Sequence, residues 1–302
     1  MKILCILLFG ALITNTFGQS DTLRIKKHLS KITQREGYRN SDNPSALNAT
    51  AAYIYQQFDR YADTTYFQKF TANGIEYKNV ICVIGKNRPK TIVVGAHYDV
   101  CGEQEGADDN ASGVVGLLEL AKLTARADID YRLEIVAYTL EEPPYFRTKN
   151  MGSAIHAKSL RDRKESIEGM ICLEMIGYFK QERGTQKYPL GIFKLFKGSR
   201  ANYITLVRKN GGGKFAKTFS KTFRKNAFLP AKKFVGPVSL AGIDYSDHSN
   251  YWNEGYSTLM ITDTSFYRNP HYHEKTDTME TLDVKQMAAV IDSLVLALIE
   301  MK

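Results

Sequence analysis

Cysteine is scarce in this sequence, and its scarcity excludes one class of secreted protein. Four cysteines occur in 302 residues: Cys5 near the N-terminus, then Cys82, Cys101 and Cys172. If the first segment is removed, three cysteines leave at least one thiol free or paired between chains, so a disulfide-rich scaffold is excluded. Cys82 and Cys172 lie in apolar runs and are expected to be buried thiols, whereas the state of Cys101 stays open.

Long apolar runs are also lacking. The N-terminal run Ile3–Ile13 is about a dozen residues long, and a transmembrane helix needs roughly 20. With Lys2 before it and the small residue Gly18 after it, this run is typical of a secretory signal peptide, residues 1–18. We therefore expect an exported protein, periplasmic or extracellular, without stable membrane insertion. No linker or repeat divides the rest, so residues 19–302 are expected to form a single domain.

Acidic residues are missing from one part of the chain. Between Glu182 and Asp244 there is none, while twelve lysines and arginines fall within residues 194–233, and the whole chain carries a formal charge of +9. A nucleic-acid partner is not expected, because the sequence has an export signal and lacks a recognition motif. The basic region is either a solvated face or a surface attracted to an anionic envelope or an acidic peptide.

Apolar runs alternate with amphipathic segments, which predicts an α/β fold: a three-layer α/β/α sandwich with a mixed, mostly parallel central sheet. Strands are expected at residues 66–71, 76–84, 91–95, 132–139, 168–175, 203–207 and 257–263, the first two joined by a hairpin at Asn73-Gly74. Helices are expected at residues 20–36, 44–61, 111–125, 153–164, from 214 onward, and 283–301. Phe215, Phe219 and Phe223 form a stripe that indicates a face turned to the core.

Polar residues that can bind metal ions follow four of these strands. Open α/β sheets bind ligands beyond the carboxyl ends of their strands, so these residues are expected to converge. Two imidazoles with several carboxylates suit zinc, with cobalt or manganese as substitutes. Cys101 is a less favoured candidate for a metal ligand. In chain order the residues are His97, Asp99, Asp108, Asp109, Glu141, Glu142, Glu174 and His273.

The spacing of these residues suggests a separate role for each side chain. His97 and Asp99 are two residues apart and point the same way in extended chain. Asp99 can therefore hold one nitrogen of His97 while the other binds metal. Glu141 and Glu142 are adjacent and face apart, so one can bind metal while the other leans toward a bound water.

The motifs around these residues resemble a known family. In order they are AHYDV, GADDNASG, EE, LEMIG and NPHYHEKTDT, and they resemble the co-catalytic zinc aminopeptidases of family M28, the aminopeptidase S/leucyl aminopeptidase-like type. The resemblance extends from about residue 51 to the C-terminus. It implies two zinc ions per chain, one held by His97 and Glu174, the other by Glu142 and His273, with Asp109 bridging both.

The same resemblance implies roles for the remaining residues. Glu141 would be the general base and Asp99 the support of His97, and Tyr272 is expected from its position to donate to the developing oxyanion. The family pattern places the bridging aspartate directly before an asparagine, which selects Asp109 over Asp108. It places the last histidine directly after a tyrosine, which selects His273 over His271. Glu174 departs from the pattern, because many relatives have Asp there.

The expected function is that of a metallo-aminopeptidase, a zinc-dependent hydrolase that removes N-terminal residues from peptide substrates through a metal-activated water. One alternative is a single-zinc glutaminyl cyclase-like acyltransferase, whose Asp-His segment resembles residues 244–248. This segment is expected either to line the pocket or to form a helix N-cap at Ser246 or Asp247. Tyr272, where the cyclases have Trp, argues against the cyclase. A non-catalytic binding module is the less favoured alternative, because every ligand position is filled by a competent residue.

Overall fold

The computed structural model describes residues 19–189, 191 and 198–301. The expected signal peptide, residues 1–18, and two members of the basic region, Lys194 and Lys197, lie outside these described residues. Within the described part of the chain, the structure contains no helix with the length and apolarity needed to cross a membrane.

Eight strands form one mixed sheet in the order β1-β2-β4-β3-β5-β8-β6-β7. Its centre is the parallel run β4-β3-β5-β8, and β6 and β7 form a further parallel pair. Antiparallel pairing joins β1 to β2, β2 to β4, and β6 to β8. The strands are β1 (Thr64–Ala72), β2 (Ile75–Ile84), β3 (Lys90–His97), β4 (Tyr131–Tyr138), β5 (Ile167–Glu174), β6 (Ile204–Lys209), β7 (Ala231–Gly236) and β8 (Thr258–Thr262).

Helices cover both faces of this sheet, which confirms the predicted three-layer α/β architecture. Apolar side chains of α1, α2, α3, α5 and α7 join one core cluster, and those of α4 and α6 join the cluster on the opposite face. The helices are α1 (Thr22–Thr33), α2 (Pro44–Phe58), α3 (Gly113–Thr124), α4 (Gly152–Asp162), α5 (Lys214–Lys225), α6 (His248–Asn253) and α7 (Val284–Glu300).

Strand β3 shows why the sequence runs that form the central strands have apolar side chains on both faces. Ile92 and Val94 pack into one core cluster, while Val93 between them packs into the other. Alternate side chains of a strand point to opposite faces, and a parallel strand covered by helices on both sides must be apolar on both. The continuous β-branched run therefore places its polar end, His97, at the edge of a rigid layer.

Three local predictions are confirmed. Asn73 and Gly74 have φ values of 50° and 79°, the left-handed pair that a tight hairpin between β1 and β2 requires. The phenylalanine stripe of α5 faces the core: Phe219 and Phe223 are fully buried and Phe215 is 6% exposed. The apolar thiols Cys82 and Cys172 are buried and free, as expected.

The prediction missed two elements. Strand β7 has the sequence AKKFVG, and its two lysines made it indistinguishable from a solvated loop, although edge strands often carry such charges. Helix α6 is only six residues long, too short to give a helical apolar period. Elsewhere the ends of elements differ from prediction by about one to three residues, the usual uncertainty at fraying ends.

Candidate metal centre

The polar residues predicted to converge lie together at the carboxyl edge of the parallel strands. β3 ends at His97 and β5 at Glu174, while Glu141 and Glu142 follow β4 and His273 follows β8. The chain turns sharply at these points: Leu140, Met175 and His273 itself have φ values of 59°, 49° and 59°. Left-handed backbone at residues other than glycine is costly and concentrates at functional sites.

One group of possible ligands surrounds the imidazole of His97. Its Nε2 lies 3.4 Å from Asp109 Oδ1 and 3.4 Å from Glu174 Oε2. Glu141 Oε2 is slightly farther from the same nitrogen, at 3.9 Å. His97, Asp109 and Glu174 each offer an atom within 4.8 Å of the others, and all three are buried. This nitrogen and these two oxygens can share one cation.

A second group surrounds His273. Its Nε2 lies 3.2 Å from Asp109 Oδ2 and 3.3 Å from Glu142 Oε2. Asp109 therefore turns one oxygen toward each imidazole, and its carboxylate lies between the two groups. Glu142 and His273 also form a group with Cys101, with ligand atoms within 4.8 Å of one another.

The donor set fits metal ions because several of its atoms lack any other partner. Asp109 Oδ2, Glu142 Oε1 and His273 Nε2 make no hydrogen bond of acceptable geometry within the described residues. Leaving a buried charged group without a hydrogen bond costs about 1–3 kcal/mol or more. Nitrogen and carboxylate oxygen are the ligands of catalytic zinc sites, so zinc would satisfy these atoms.

The clustered carboxylates of the site favour the binding of cations. Burial raises the pKa of Glu142 to about 7, and the neighbouring Asp109 adds to this effect. Burial also raises the pKa of Glu141 well above its ordinary value, with further contributions from Glu142 and Glu174. Burial alone would lower the pKa of His97, but Glu174 and Glu141 outweigh it and raise that pKa well above its usual value. Carboxylates this close together repel one another when they are charged. Each therefore holds a proton more tightly unless a cation binds beside it.

Asp99 supports the site mainly through its contacts with the backbone. Its two carboxylate oxygens accept hydrogen bonds from the amides of Glu141 and Glu142, at 3.2 and 3.0 Å. Nδ1 of His97 is 3.5 Å from the Asp99 carboxylate and 3.2 Å from the Asp99 carbonyl oxygen. Asp99 thus couples the ends of β3 and β4, and its carbonyl is the nearer partner of the imidazole.

The loop that carries Asp109 is fixed by Asp277, a residue to which the sequence analysis gave no role. The Asp277 carboxylate accepts the amides of Asp108 and Asp109, at 2.9 and 3.0 Å. Asp108 turns away from the imidazoles, and its carboxylate accepts the Gly177 amide and the Asn269 side chain. The structure therefore brings Asp109, and not Asp108, to the site. Asp277 lies within the motif NPHYHEKTDT, which was its only signal in the sequence.

The segment 244–248 borders the site, with Tyr245 in the lining of the adjoining cavity and Ser246 in contact with Glu174. The Ser246 hydroxyl donates to Glu174 Oε2 at 2.5 Å, and the Cys172 thiol lies 3.2 Å from the same hydroxyl. Asp247 precedes α6, but its side chain makes no capping hydrogen bond. Of the two interpretations of this segment, the lining of the site describes the structure, and the N-cap does not.

Tyr272 and His271 flank the last histidine and differ in their surroundings. The Tyr272 ring stacks on His273, with centroids 3.8 Å apart and an interplanar angle of 18°. Burial, with Asp109 and Glu142 nearby, raises the pKa of Tyr272 above its ordinary value, so its hydroxyl remains a donor. The His271 ring instead contacts the Thr276 hydroxyl at 2.8 Å and belongs to neither group of possible ligands.

A cavity of about 220 Å³ opens from the candidate metal centre. Glu141, Glu142 and His273 are among the residues that line it, and the walls are mainly apolar. Part of the rim is fastened by Arg147, which pairs with Asp244 at 2.7 Å. The aromatic residues of the wall are Phe146, Tyr188, Tyr203, Phe234, Tyr245, Phe266, Tyr267 and Tyr272. A cavity of this composition suits an apolar group held next to the metal-binding residues.

Comparison with known sequences gives a consistent result. The sequence model of Peptidase family M28 matches residues 79–298. The chain is 36% identical over 287 residues to the uncharacterized protein YfbL of Escherichia coli (strain K12), covering 92% of this chain and 88% of that protein. It is 25% identical over 229 residues to a probable leucine aminopeptidase of Trichophyton verrucosum, covering 71% of this chain but only 55% of that protein. The chain thus spans about half the length of this fungal relative.

Solved structures share the fold. LapB from Legionella pneumophila superposes with a TM-score of 0.72 at 25% identity, covering 92% of this chain and 71% of that one. The glutaminyl cyclase of Tannerella forsythia superposes with a TM-score of 0.68 at 20% identity, covering 95% of this chain and all of that one. At such identity the second likeness shows the fold alone.

Proposed function

Since the chain belongs to peptidase family M28, we propose that it is a zinc-dependent aminopeptidase that hydrolyses the N-terminal peptide bond of peptides. The observation that carries this proposal is the position of Asp109, with one oxygen 3.4 Å from His97 and the other 3.2 Å from His273. A carboxylate between two groups of ligands suits a pair of metal ions. His97 and Glu174 would hold one zinc ion, and Glu142 and His273 the other.

Glu141 is the proposed general base. When bound, zinc lowers the pKa of a water molecule and polarises the scissile carbonyl. Glu141 lines the cavity, and its backbone amide is held by Asp99. In the metal-free protein burial raises the pKa of Glu141 well above its ordinary value, and bound cations would counter this rise, leaving a carboxylate that can accept a proton. It takes that proton from the attacking water and passes it to the leaving amine.

Tyr272 is the proposed donor to the oxyanion that develops on the scissile carbonyl. Stacking on His273 fixes the plane of its ring, and its raised pKa keeps the proton on the hydroxyl. A preorganised donor of this kind is most effective in a buried site where it needs no reorganisation during the reaction.

The cavity supports a preference for peptides whose first residue has a large apolar side chain. The aromatic wall would enclose that side chain, while the scissile bond lies against Glu141. Removing an aromatic residue from the wall, for example by Phe266→Ala, should raise KM for such substrates more than it lowers kcat, because packing of the side chain is felt equally in the ground and transition states.

The test is Glu141→Gln on a panel of amino-acid arylamides. Loss of the base should lower kcat by about 10²–10⁴-fold while the zinc content stays unchanged. Glu103→Gln is the matched control, because Glu103 is exposed on a neighbouring loop and its one ion pair among the described residues is with Lys275. Full turnover by Glu141→Gln with zinc bound would overturn the proposal.

A single-zinc glutaminyl cyclase is the second candidate, supported by the fold it shares with the Tannerella forsythia enzyme. Metal analysis separates the two. Close to two zinc ions per chain with release of arylamines supports the peptidase. Close to one ion per chain, with cyclisation of peptides that begin with glutamine, supports the cyclase.

A further inference from the structure

Cys101 lies at the open edge of the candidate metal centre. Its Sγ, a carboxylate oxygen of Glu142 and a ring nitrogen of His273 are all within 4.8 Å of one another. The residue is partly exposed and its thiol is free. By contrast, Cys82 is fully buried in β2, in a strand that contributes no ligand.

A second observation points to a ligand at the same place. Glu142 is only 5% exposed, yet its Oε1 makes no hydrogen bond within the described residues. His273 Nε2 is without a hydrogen bond as well. A buried carboxylate oxygen is rarely left unsatisfied in a native site. The other oxygen of this carboxylate lies 3.3 Å from His273 Nε2, so a cation bound by Glu142 and His273 would lie next to the Cys101 thiol.

We propose that Cys101 is a further ligand of the metal ion held by Glu142 and His273, so that this position has a sulfur ligand while the position at His97 and Glu174 does not. The inference rests on the proposed metal-dependent function and extends it to a chemical difference between the two halves of the site. Zinc bonds of about 2.3 Å to sulfur and 2.0 Å to nitrogen place ligand atoms of one ion roughly 3.5 Å apart.

Ligation of Cys101 is easy to recognise. A divalent cation deprotonates a coordinating thiol outright, so sulfur bound to the ion is present as a thiolate.

The two halves should also differ in the metals that they prefer. Soft thiolate ligands select zinc and similarly soft ions, whereas imidazole and carboxylate alone accommodate manganese and cobalt as well. The Cys101 half should accordingly bind cadmium more tightly than the His97 half, and manganese less tightly.

Cobalt is the probe for the test, because a thiolate bound to Co²⁺ gives an intense near-ultraviolet charge-transfer band that imidazole and carboxylate ligands do not give. The mature chain, freed of metal by a chelator, is titrated with Co²⁺ until both positions are filled. The band should grow with one equivalent only. It should vanish in Cys101→Ser and persist in Cys82→Ala, the control that removes a thiol remote from the site.

Zinc affinity provides a second measurement. Cys101→Ser should weaken one of the two zinc ions by about tenfold or more, since even changes outside the ligand set typically cost about 10- to 100-fold. Thermal unfolding of the metal-free variants confirms that each one is folded before the titration is interpreted.

Two results would overturn the inference: absence of the band in the fully loaded wild-type protein, or an unchanged band in Cys101→Ser. The outcome is independent of the peptidase assay. If Glu141→Gln retained turnover, the proposed mechanism would fail, and the cobalt band would still decide whether Cys101 binds metal.

Discussion

Replacing Asp277 by asparagine tests whether the loop of Asp109 is held for metal binding. In the native protein the Asp277 carboxylate accepts two backbone amides, those of Asp108 and Asp109, at 2.9 and 3.0 Å. The side chain introduced by Asp277→Asn would offer one carbonyl oxygen, and its NH₂ group would face the second amide. One buried donor would lose its partner, at a cost of about 1–3 kcal/mol. Strain of that size in the loop corresponds to about a 5- to 150-fold loss of zinc affinity.

The measurement is competition for zinc between the protein and a fluorescent chelator, with Asp283→Asn as control. Asp283 caps α7 by accepting the amides of Lys285 and Gln286, both at 3.1 Å, and asparagine caps helices as well as aspartate does. The control should therefore bind zinc as the wild type does. Native affinity in Asp277→Asn would show that the loop does not depend on this carboxylate, and the reasoning would be wrong.

Three further predictions concern metal binding, stability and pH. Ser246→Ala removes the 2.5 Å hydrogen bond to Glu174 and should weaken one zinc ion by about 10- to 100-fold; equal affinity in a zinc titration would contradict this. Arg24→Met removes the close partner of Glu119, which is fully buried, and leaves the longer 3.9 Å contact with His28; it should lower the free energy of unfolding in urea by about 3–5 kcal/mol, and a loss below about 1 kcal/mol would show that the Arg24 pair is dispensable. Because burial raises the pKa of Glu142 from 4.5 to about 7, the folded metal-free protein binds more protons than the unfolded chain in that range, so its Tm should fall as pH rises through it. Zinc, which binds deprotonated ligands, should reverse the trend, and a Tm that rises with pH in the presence of chelator would refute the argument.

Much of the site could be predicted because its residues follow strands that are easily recognised in the sequence. Apolar β-branched runs such as Ile92–Val94 fix where a buried strand lies, and the polar residue that ends the run must then lie at the edge of the sheet. His97 and Glu174 were found in this way. The choice between Asp108 and Asp109 came from the family pattern, because neither expected burial nor hydrophobic periodicity distinguishes two adjacent aspartates.

Other features could not be predicted, for physical reasons. Asp277 acts on the backbone amides of a segment far away in sequence, and a carboxylate that accepts amides leaves no periodic signal. Serine is a common N-cap residue, so the sequence around Ser246 indicates the start of a helix. Only the packing of α6 against the sheet turns its hydroxyl to Glu174. Strand β7 is at the end of the sheet, where one neighbour suffices and lysines are tolerated.

The ligands come from the ends of separate strands, with His273 contributed by the loop that follows β8. A growing chain therefore lacks His273 until most of the protein has been synthesised, and the sheet must close around β5 and β8 before that imidazole can reach Asp109. Partial chains that stop before His273 should accordingly lack one of the candidate ligands. The complete set of candidate ligands forms only when the loop after β8 folds against the edge of the sheet.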